Sequence, residues 1–278
     1  MNPAPFCPVT KLEKLLVATD CSEYSEGAIR EAMNFAKQCA SRLYIMTVVE
    51  SNLEYQNIAS NVSLDEENTM NHLLLVQSNA AKEGVACEAF LRKGRKPHQL
   101  IVEEAVNRNV DMIILGRHGR RGLMKLLVGQ VSAKVIGDAP CKVLIVPKAA
   151  GVDFSNILVA TDGSNHSIAA SAAALEIAKR CGSKIFAISA ALSKNEMEEA
   201  QTNVNKVAEM AQAEGITVEP LTATGKPCEI IVKAAISKDI GLIVVGTYGR
   251  EGIKKLLMGS TTEKVIGLAD CAILVARA

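Results

Sequence analysis

The chain has 278 residues, a formal net charge of +1, 49% hydrophobic residues, 3% aromatic residues and no Trp. That length suits two domains of ordinary size, and the near-neutral charge leaves no bulk pull toward nucleic acid or an anionic membrane. Scarce aromatics argue against base-stacking platforms, so the core must be aliphatic.

The first eight residues, Met1 to Pro8, carry neither a basic region nor a long apolar one, and no later stretch runs to eighteen apolar residues. A soluble, unexported, cytoplasmic protein without a membrane segment is expected. Eight Cys stand at 7, 21, 39, 87, 141, 181, 228 and 271 without a CxxC or a Cys/His ligand spacing. They read as reduced thiols, most of them small core residues, and no metal site is expected.

Hydrophobic periodicity then predicts alternating elements. Residues 14–19 read as a strand and 23–40 as a helix, whose apolar face is Ala28, Ile29, Ala32, Phe35, Ala36 and Cys39. A strand over 42–49, a helix over 64–83, a strand over 86–92 and a helix over 97–109 opened by Pro97 follow. A strand over 111–115, a helix near 131–137 and a strand over 142–146 finish the unit. Such alternation gives a doubly wound parallel sheet with right-handed crossovers.

The unit occurs twice. Leu15-Leu16-Val17-Ala18-Thr19-Asp20-Cys21-Ser22 recurs as Ile157-Leu158-Val159-Ala160-Thr161-Asp162-Gly163-Ser164, and Lys134-Val135-Ile136-Gly137 as Lys264-Val265-Ile266-Gly267. The copies are expected at 1–150 and 151–278. Asp20 and Asp162 are 142 positions apart but Gly116 and Gly246 only 130, so the first copy holds twelve extra residues. They fall around 50–65, rich in Ser, Asn and Glu, which reads as a surface loop.

Each copy also carries a glycine-punctuated stretch after an apolar strand. In the second, Gly246-Thr247-Tyr248-Gly249 is followed, after nine intervening residues, by Gly259-Ser260; in the first, Gly116-Arg117-His118-Gly119 is followed at the same spacing by Gly129-Gln130. Between a strand end and a helix start, glycines admit an anion close to backbone N–H groups, and the helix dipole favours negative charge. In a doubly wound sheet this loop and the Thr-Asp of the first strand face one cleft at the switch point. An Asp one nucleoside length from a phosphate cradle suits ribose hydroxyls or a base N–H, so an adenine nucleotide is the natural occupant. The competing reading makes Asp162 a helix N-cap, a role Ser164 could share.

These residues resemble the universal stress protein family over nearly the whole chain, which is similar to its tandem members of the ATP-binding type. The resemblance implies two Rossmann-like doubly wound domains, each a five-stranded parallel sheet of order 3-2-1-4-5 flanked by helices. It implies a stress-response protein that holds ATP, with AMP or ADP as alternatives; Mg²⁺ is an optional companion of the nucleotide. In the second copy Asp162, Gly246, Gly249, Gly259 and Ser260 match, with Thr161, Ala190 and Val245 lining the adenosine and Thr261 as a further phosphate contact. The first copy matches at Asp20, Gly116, Gly119 and Gly129 but departs at Gln130, where Ser or Thr is expected, so binding there is in doubt. The resemblance also implies pairing of the two copies through their last strands, as a pseudo-dimer within one chain; the apolar strands 143–146 and 273–275 fit both a chain that stands alone and a homodimer, and a protein partner is left unidentified.

Arg120, Arg121 and Lys125, with Arg250, Lys254 and Lys255, could reach a polyphosphate tail or form a solvated face. His118 and Tyr248 read as pocket rim. Cys21, near a helix start, reads as a silent small residue rather than a redox thiol, and His98, opposite Cys228, as exposed rather than a ligand. With no G-x4-G-K-[ST] or G-x-G-x-x-G motif and no paired nucleophile and base, catalysis is not indicated. A slow ATP hydrolase or phosphotransferase and a nucleotide-free interaction module are the alternatives.

Overall fold

The computed structural model describes residues 7–49, 59–117, 128–249 and 258–278. The first copy runs β1 (Lys14–Ala18), α1 (Glu26–Cys39), β2 (Arg42–Val49), α2 (Ala59–Lys82), β3 (Cys87–Lys93), α3 (Pro97–Arg108), β4 (Met112–Gly116), α4 (Gln130–Asp138) and β5 (Lys142–Val146). The second runs β6 (Asn156–Ala160), α5 (Asn165–Cys181), β7 (Lys184–Ala191), α6 (Met197–Ala213), β8 (Val218–Thr224), α7 (Pro227–Ser237), β9 (Leu242–Gly246), α8 (Ser260–Leu268) and β10 (Ala272–Ala276). The chain is thus α/β, with parallel strands in each copy, as the sequence predicts.

All ten strands form one sheet of order β3-β2-β1-β4-β5-β10-β9-β6-β7-β8. Within each copy pairing is parallel, while β5 and β10 meet antiparallel, Leu144 facing Leu274. The central strands are buried on both faces, which explains their continuous apolar runs: Leu15, Leu16, Val17, Ile113 and Ile114 are fully covered, as are Ile157, Leu158, Val159, Ile243 and Val244. One aliphatic cluster fills each side of the sheet and runs through both copies.

Two arginines cross the seam. Arg117, just after β4, donates to the carbonyls of Gly267 at 3.5 Å and Ala269 at 2.6 Å, at the end of α8. Arg277, just after β10, donates to Gly137 at 3.0 Å and Ala139 at 2.5 Å, at the end of α4. A cation at a helix C-terminus meets orphan carbonyls and the negative end of the dipole. Burial lowers the pKa of Arg117, opposed by nearby Asp270.

The structure corrects three sequence expectations. Cys7 and Cys39 are disulfide-bonded, so the eight Cys are not all thiols. The predicted surface loop over 50–65 is partly helix: α2 starts at Ala59 and is 24 residues long, against 17 for α6. Residues 50–58 lie outside the described residues. The first helix is also divided, because a 3-10 turn over Glu23–Ser25 precedes α1.

Candidate functional site

The site arises where the winding direction reverses. In the second copy the chain passes from β6 outward to β7 and β8, then returns to β9 on the other side of β6. The carboxyl ends of β6 and β9 lie side by side, Val159 opposite Val244, and open the crevice that this topology leaves. Thr161-Asp162 leaves one strand there and Gly246-Thr247-Tyr248-Gly249 the other.

Close packing dictates the glycines. A Cβ on Gly246 would stand 2.7 Å from the backbone of His166, and one on Gly116 2.6 Å from the Tyr24 carbonyl. A Cβ on Gly249 would stand 2.6 Å from Asp162 Oδ2, so Asp162 and the glycine loop share one cleft wall. Asp162 Oδ1 accepts the Ser164 amide at 3.0 Å, which orients the carboxylate. The cap of α5 is Ser164, whose hydroxyl oxygen accepts the Ser167 amide at 3.3 Å. The N-cap reading of Asp162 is therefore replaced: its other oxygen faces the glycine loop.

One backbone bond and one side-chain bond tie the two ends of the loop together. The Gly259 amide donates to the Thr247 carbonyl at 2.9 Å, and the Thr262 hydroxyl to the Gly246 carbonyl at 2.9 Å. Gly259 is the N-cap of α8 and offers no side chain, so the helix opens on Ser260 without a side-chain cap. Ser260 is exposed and Thr261 half-buried. Thr161 is buried, its hydroxyl accepting the Gly163 amide at 3.2 Å and pairing with Ser167 at 3.2 Å, and its amide donating to the Ile188 carbonyl at 2.9 Å. Val245 is likewise buried in β9, while Ala190 is half-buried near the end of β7.

The first copy repeats this frame. The Gly129 amide donates to the Arg117 carbonyl at 3.1 Å, and the Ser132 hydroxyl to the Gly116 carbonyl at 3.2 Å. Asp20 Oδ1 accepts from the Ser22 amide at 3.1 Å and hydroxyl at 2.6 Å. Gln130 is exposed as the first residue of α4, in the place of Ser260. Gly119 and His118 lie outside the described residues, as do Arg120, Arg121, Lys125, Arg250, Lys254 and Lys255.

One neighbour of the loop was not singled out by sequence. The His166 ring packs edge-on against Tyr248, centroids 5.3 Å apart. Its signal lies in the two repeat offsets, which put His166 opposite Tyr24 and Tyr248 opposite His118: the copies carry the same Tyr/His combination with places exchanged. Among the described residues no group of three or more His, Cys, Asp or Glu could hold a metal ion, and no helix is long and apolar enough to cross a membrane.

The universal stress protein family model matches residues 11–147 and again 153–277. The chain belongs to the universal stress protein family. It is 32% identical over 140 residues to the universal stress protein MJ0531 of Methanocaldococcus jannaschii, covering 45% of this chain and 82% of that one. A universal stress protein of Mycolicibacterium smegmatis is 24% identical over 288 residues, covering 95% of this chain and 96% of that one. The universal stress protein crystal structure from Archaeoglobus fulgidus DSM 4304 shares the fold at a TM-score of 0.76 and 22% identity, covering 96% and 99% of the two chains. As a universal stress protein with two family units in one chain, the molecule carries two candidate clefts, one at each switch point.

Proposed function

We propose that the second copy binds an adenine nucleotide, ATP with Mg²⁺ in first place, and that the protein acts as a non-catalytic regulator whose nucleotide occupancy alters its surface or assembly. The observation that carries the reading is the convergence of Asp162 Oδ2 on Gly249 within one cleft wall. It supports a carboxylate at the nucleoside end and a glycine cradle at the phosphate end. The α8 N-terminus, with Gly259 as cap and Ser260 exposed beside it, supplies backbone N–H groups and the positive end of a dipole for the phosphates. Ala190, Val245 and Thr161, whose amide is taken by the Ile188 carbonyl, border the adenosine end, and Thr261 stands next to Ser260 for a further phosphate contact. AMP and ADP fit the same arrangement with fewer phosphate contacts.

The first copy, with units divided as 1–150 and 151–278, keeps the backbone frame of Gly116 and Gly129 but presents Gln130 where a small hydroxyl would sit. Its affinity is expected to be the weaker. Calorimetric titration of nucleotide-stripped protein with ATP and Mg²⁺, repeated on Gly259→Asp and Gly129→Asp, tests the proposal. One site lost only in Gly259→Asp supports it, because a carboxylate there repels phosphate. Two sites would restore the first copy, and no binding heat with no co-purified nucleotide would end the nucleotide reading.

A further inference from the structure

The stretch from Cys7 to Thr10 precedes β1 and is fastened to both copies at once. On the first copy, Cys7 is bonded to Cys39, the last residue of α1, across 32 positions of sequence. Val9 and Leu12, each 4% exposed, sink into the core on that side, and the Ser41 hydroxyl donates to the Leu12 carbonyl. On the second copy, the Arg180 guanidinium donates through Nε to the Cys7 carbonyl at 2.6 Å and through Nη1 to the Thr10 hydroxyl at 3.5 Å. The Thr10 amide donates to Glu176 Oε1 at 2.8 Å, while Glu176 Oε2 receives Lys142 Nζ at 3.4 Å. Arg180 and Glu176 are one turn apart on α5, so a single helix face receives the strap.

We propose that Cys7–Cys39 is a thiol–disulfide exchange site, acted on by dithiols, that sets how firmly the strap grips α5 of the second copy. In the exchange a dithiol's thiolate attacks one Sγ, the Sγ–Sγ bond breaks and a mixed disulfide forms. The second thiol of the reagent then displaces the protein sulfur. The reagent leaves as a cyclic disulfide, and its two electrons and two protons end on the Cys7 and Cys39 thiols. Both cysteines are half-buried rather than sealed, which gives the reagent access. Burial pushes the Cys141 thiol up to about 12 and the Cys271 thiol to about 11, which keeps these two from competing as nucleophiles.

The two fastenings support each other by linkage. Closing a loop of this length costs chain entropy, and docking at α5 reduces that cost by holding Cys7 where Cys39 can reach it. Conversely, the closed disulfide keeps the Cys7 carbonyl in front of Arg180. Reduction leaves Val9 and Leu12 as anchors, so the fold persists while the grip on the second copy loosens.

The test uses the full chain equilibrated in buffers of reduced and oxidised dithiothreitol, then acid-quenched, denatured and alkylated. The oxidised protein is expected to label at six cysteines and the reduced protein at all eight. Hydrogen exchange at the Thr10 amide should accelerate roughly tenfold on reduction, a local opening rather than global unfolding. Arg180→Gln should shift the exchange equilibrium toward the dithiol by about tenfold, the worth of one hydrogen bond to a charged group. Cys39→Ser should show the fast Thr10 exchange without any reductant. Labelling of all eight cysteines in the oxidised buffer, equal Thr10 exchange in both states, or an unshifted equilibrium in Arg180→Gln would each overturn the proposal.

Discussion

Asp162 and Gly249, 87 positions apart in sequence, meet at the mouth of the second cleft: the carboxylate Oδ2 stands 2.6 Å from where a Cβ on Gly249 would be. The missing side chain is what allows the carboxylate and the glycine loop to share a wall. Gly249→Ala must push either the loop or the carboxylate aside, and the Ser164 amide at 3.0 Å resists movement of the carboxylate. On the proposed nucleotide reading, the expected result is a loss of ATP affinity of about tenfold, near 1.4 kcal/mol. The melting temperature should fall by only a few degrees. Calorimetry alongside thermal denaturation checks this, and unchanged affinity would remove Gly249 from the site.

Cys21 and Gly163 occupy the same turn, with φ of 59° and 77°. Left-handed backbone costs a residue with a Cβ about 1 kcal/mol, and Gly does not bear that cost. Cys21→Gly should therefore raise stability by roughly 0.5 kcal/mol once the extra freedom of Gly in the unfolded chain is counted, and Gly163→Ala should lower it by about 1 kcal/mol. Denaturant titration of both variants decides. A destabilised Cys21→Gly would mean that the Cys21 contact with Thr47, 3.6 Å away, outweighs the backbone strain.

Much of this geometry was legible because it depends on local pattern. The buried strands Leu15–Val17 and Ile243–Val245 announced themselves as unbroken apolar runs, and strand ends followed by Thr-Asp or Gly-x-x-Gly located both clefts. What escaped depends on three-dimensional proximity. No local pattern shows that Cys7 lies beside Cys39, since the fold must first carry the strap to the end of α1. The Ser- and Asn-rich start of α2 reads as loop by propensity, yet lengthening a nucleated helix adds a hydrogen bond per residue and overrides weak preferences. His166 could have been found by applying both repeat offsets together, whereas either offset alone hides the exchange with Tyr248.

The crossed arginines predict where the two copies hold each other. Arg277→Ala strips two hydrogen bonds from the end of α4, and Arg117→Ala does the same at α8. Each should cost about 1–3 kcal/mol, because bonds from a charged donor to buried carbonyls are lost. As the two sites share no partner, the double variant should be additive within about 0.5 kcal/mol. A cost near zero for either would show that water replaces the guanidinium without loss.

Thiol reactivity follows burial. Burial, with Glu88 adding to it, pushes Cys87 up to about 11, and burial sets Cys141 near 12 and Cys271 near 11. The thiolate, which is the nucleophile, is thus scarce at pH 8 in all three. Iodoacetamide at that pH should modify them slowly in the folded protein and at least tenfold faster in denaturant, read by peptide mass mapping. Fast labelling of Cys141 under native conditions would show that the seam between β5 and β10 opens.

The strap also carries an acid dependence, centred on Glu176. Burial alone would push its carboxyl up, but hydrogen bonds from the Thr10 hydroxyl and amide, with Lys142 beside it, outweigh burial and hold it below the ordinary glutamate range. The folded state then releases this proton more readily than the unfolded chain, so stability rises with pH where the two differ. The contribution is complete above the unfolded pKa, near 4.3, and disappears as pH falls through the lowered folded value. Wild type should exceed Glu176→Gln by a few degrees in melting temperature at pH 6, and the gap should narrow as pH falls below the ordinary glutamate range. Melts at half-unit steps of pH read both curves, and a gap that stays constant would place the stabilising charge elsewhere than on Glu176.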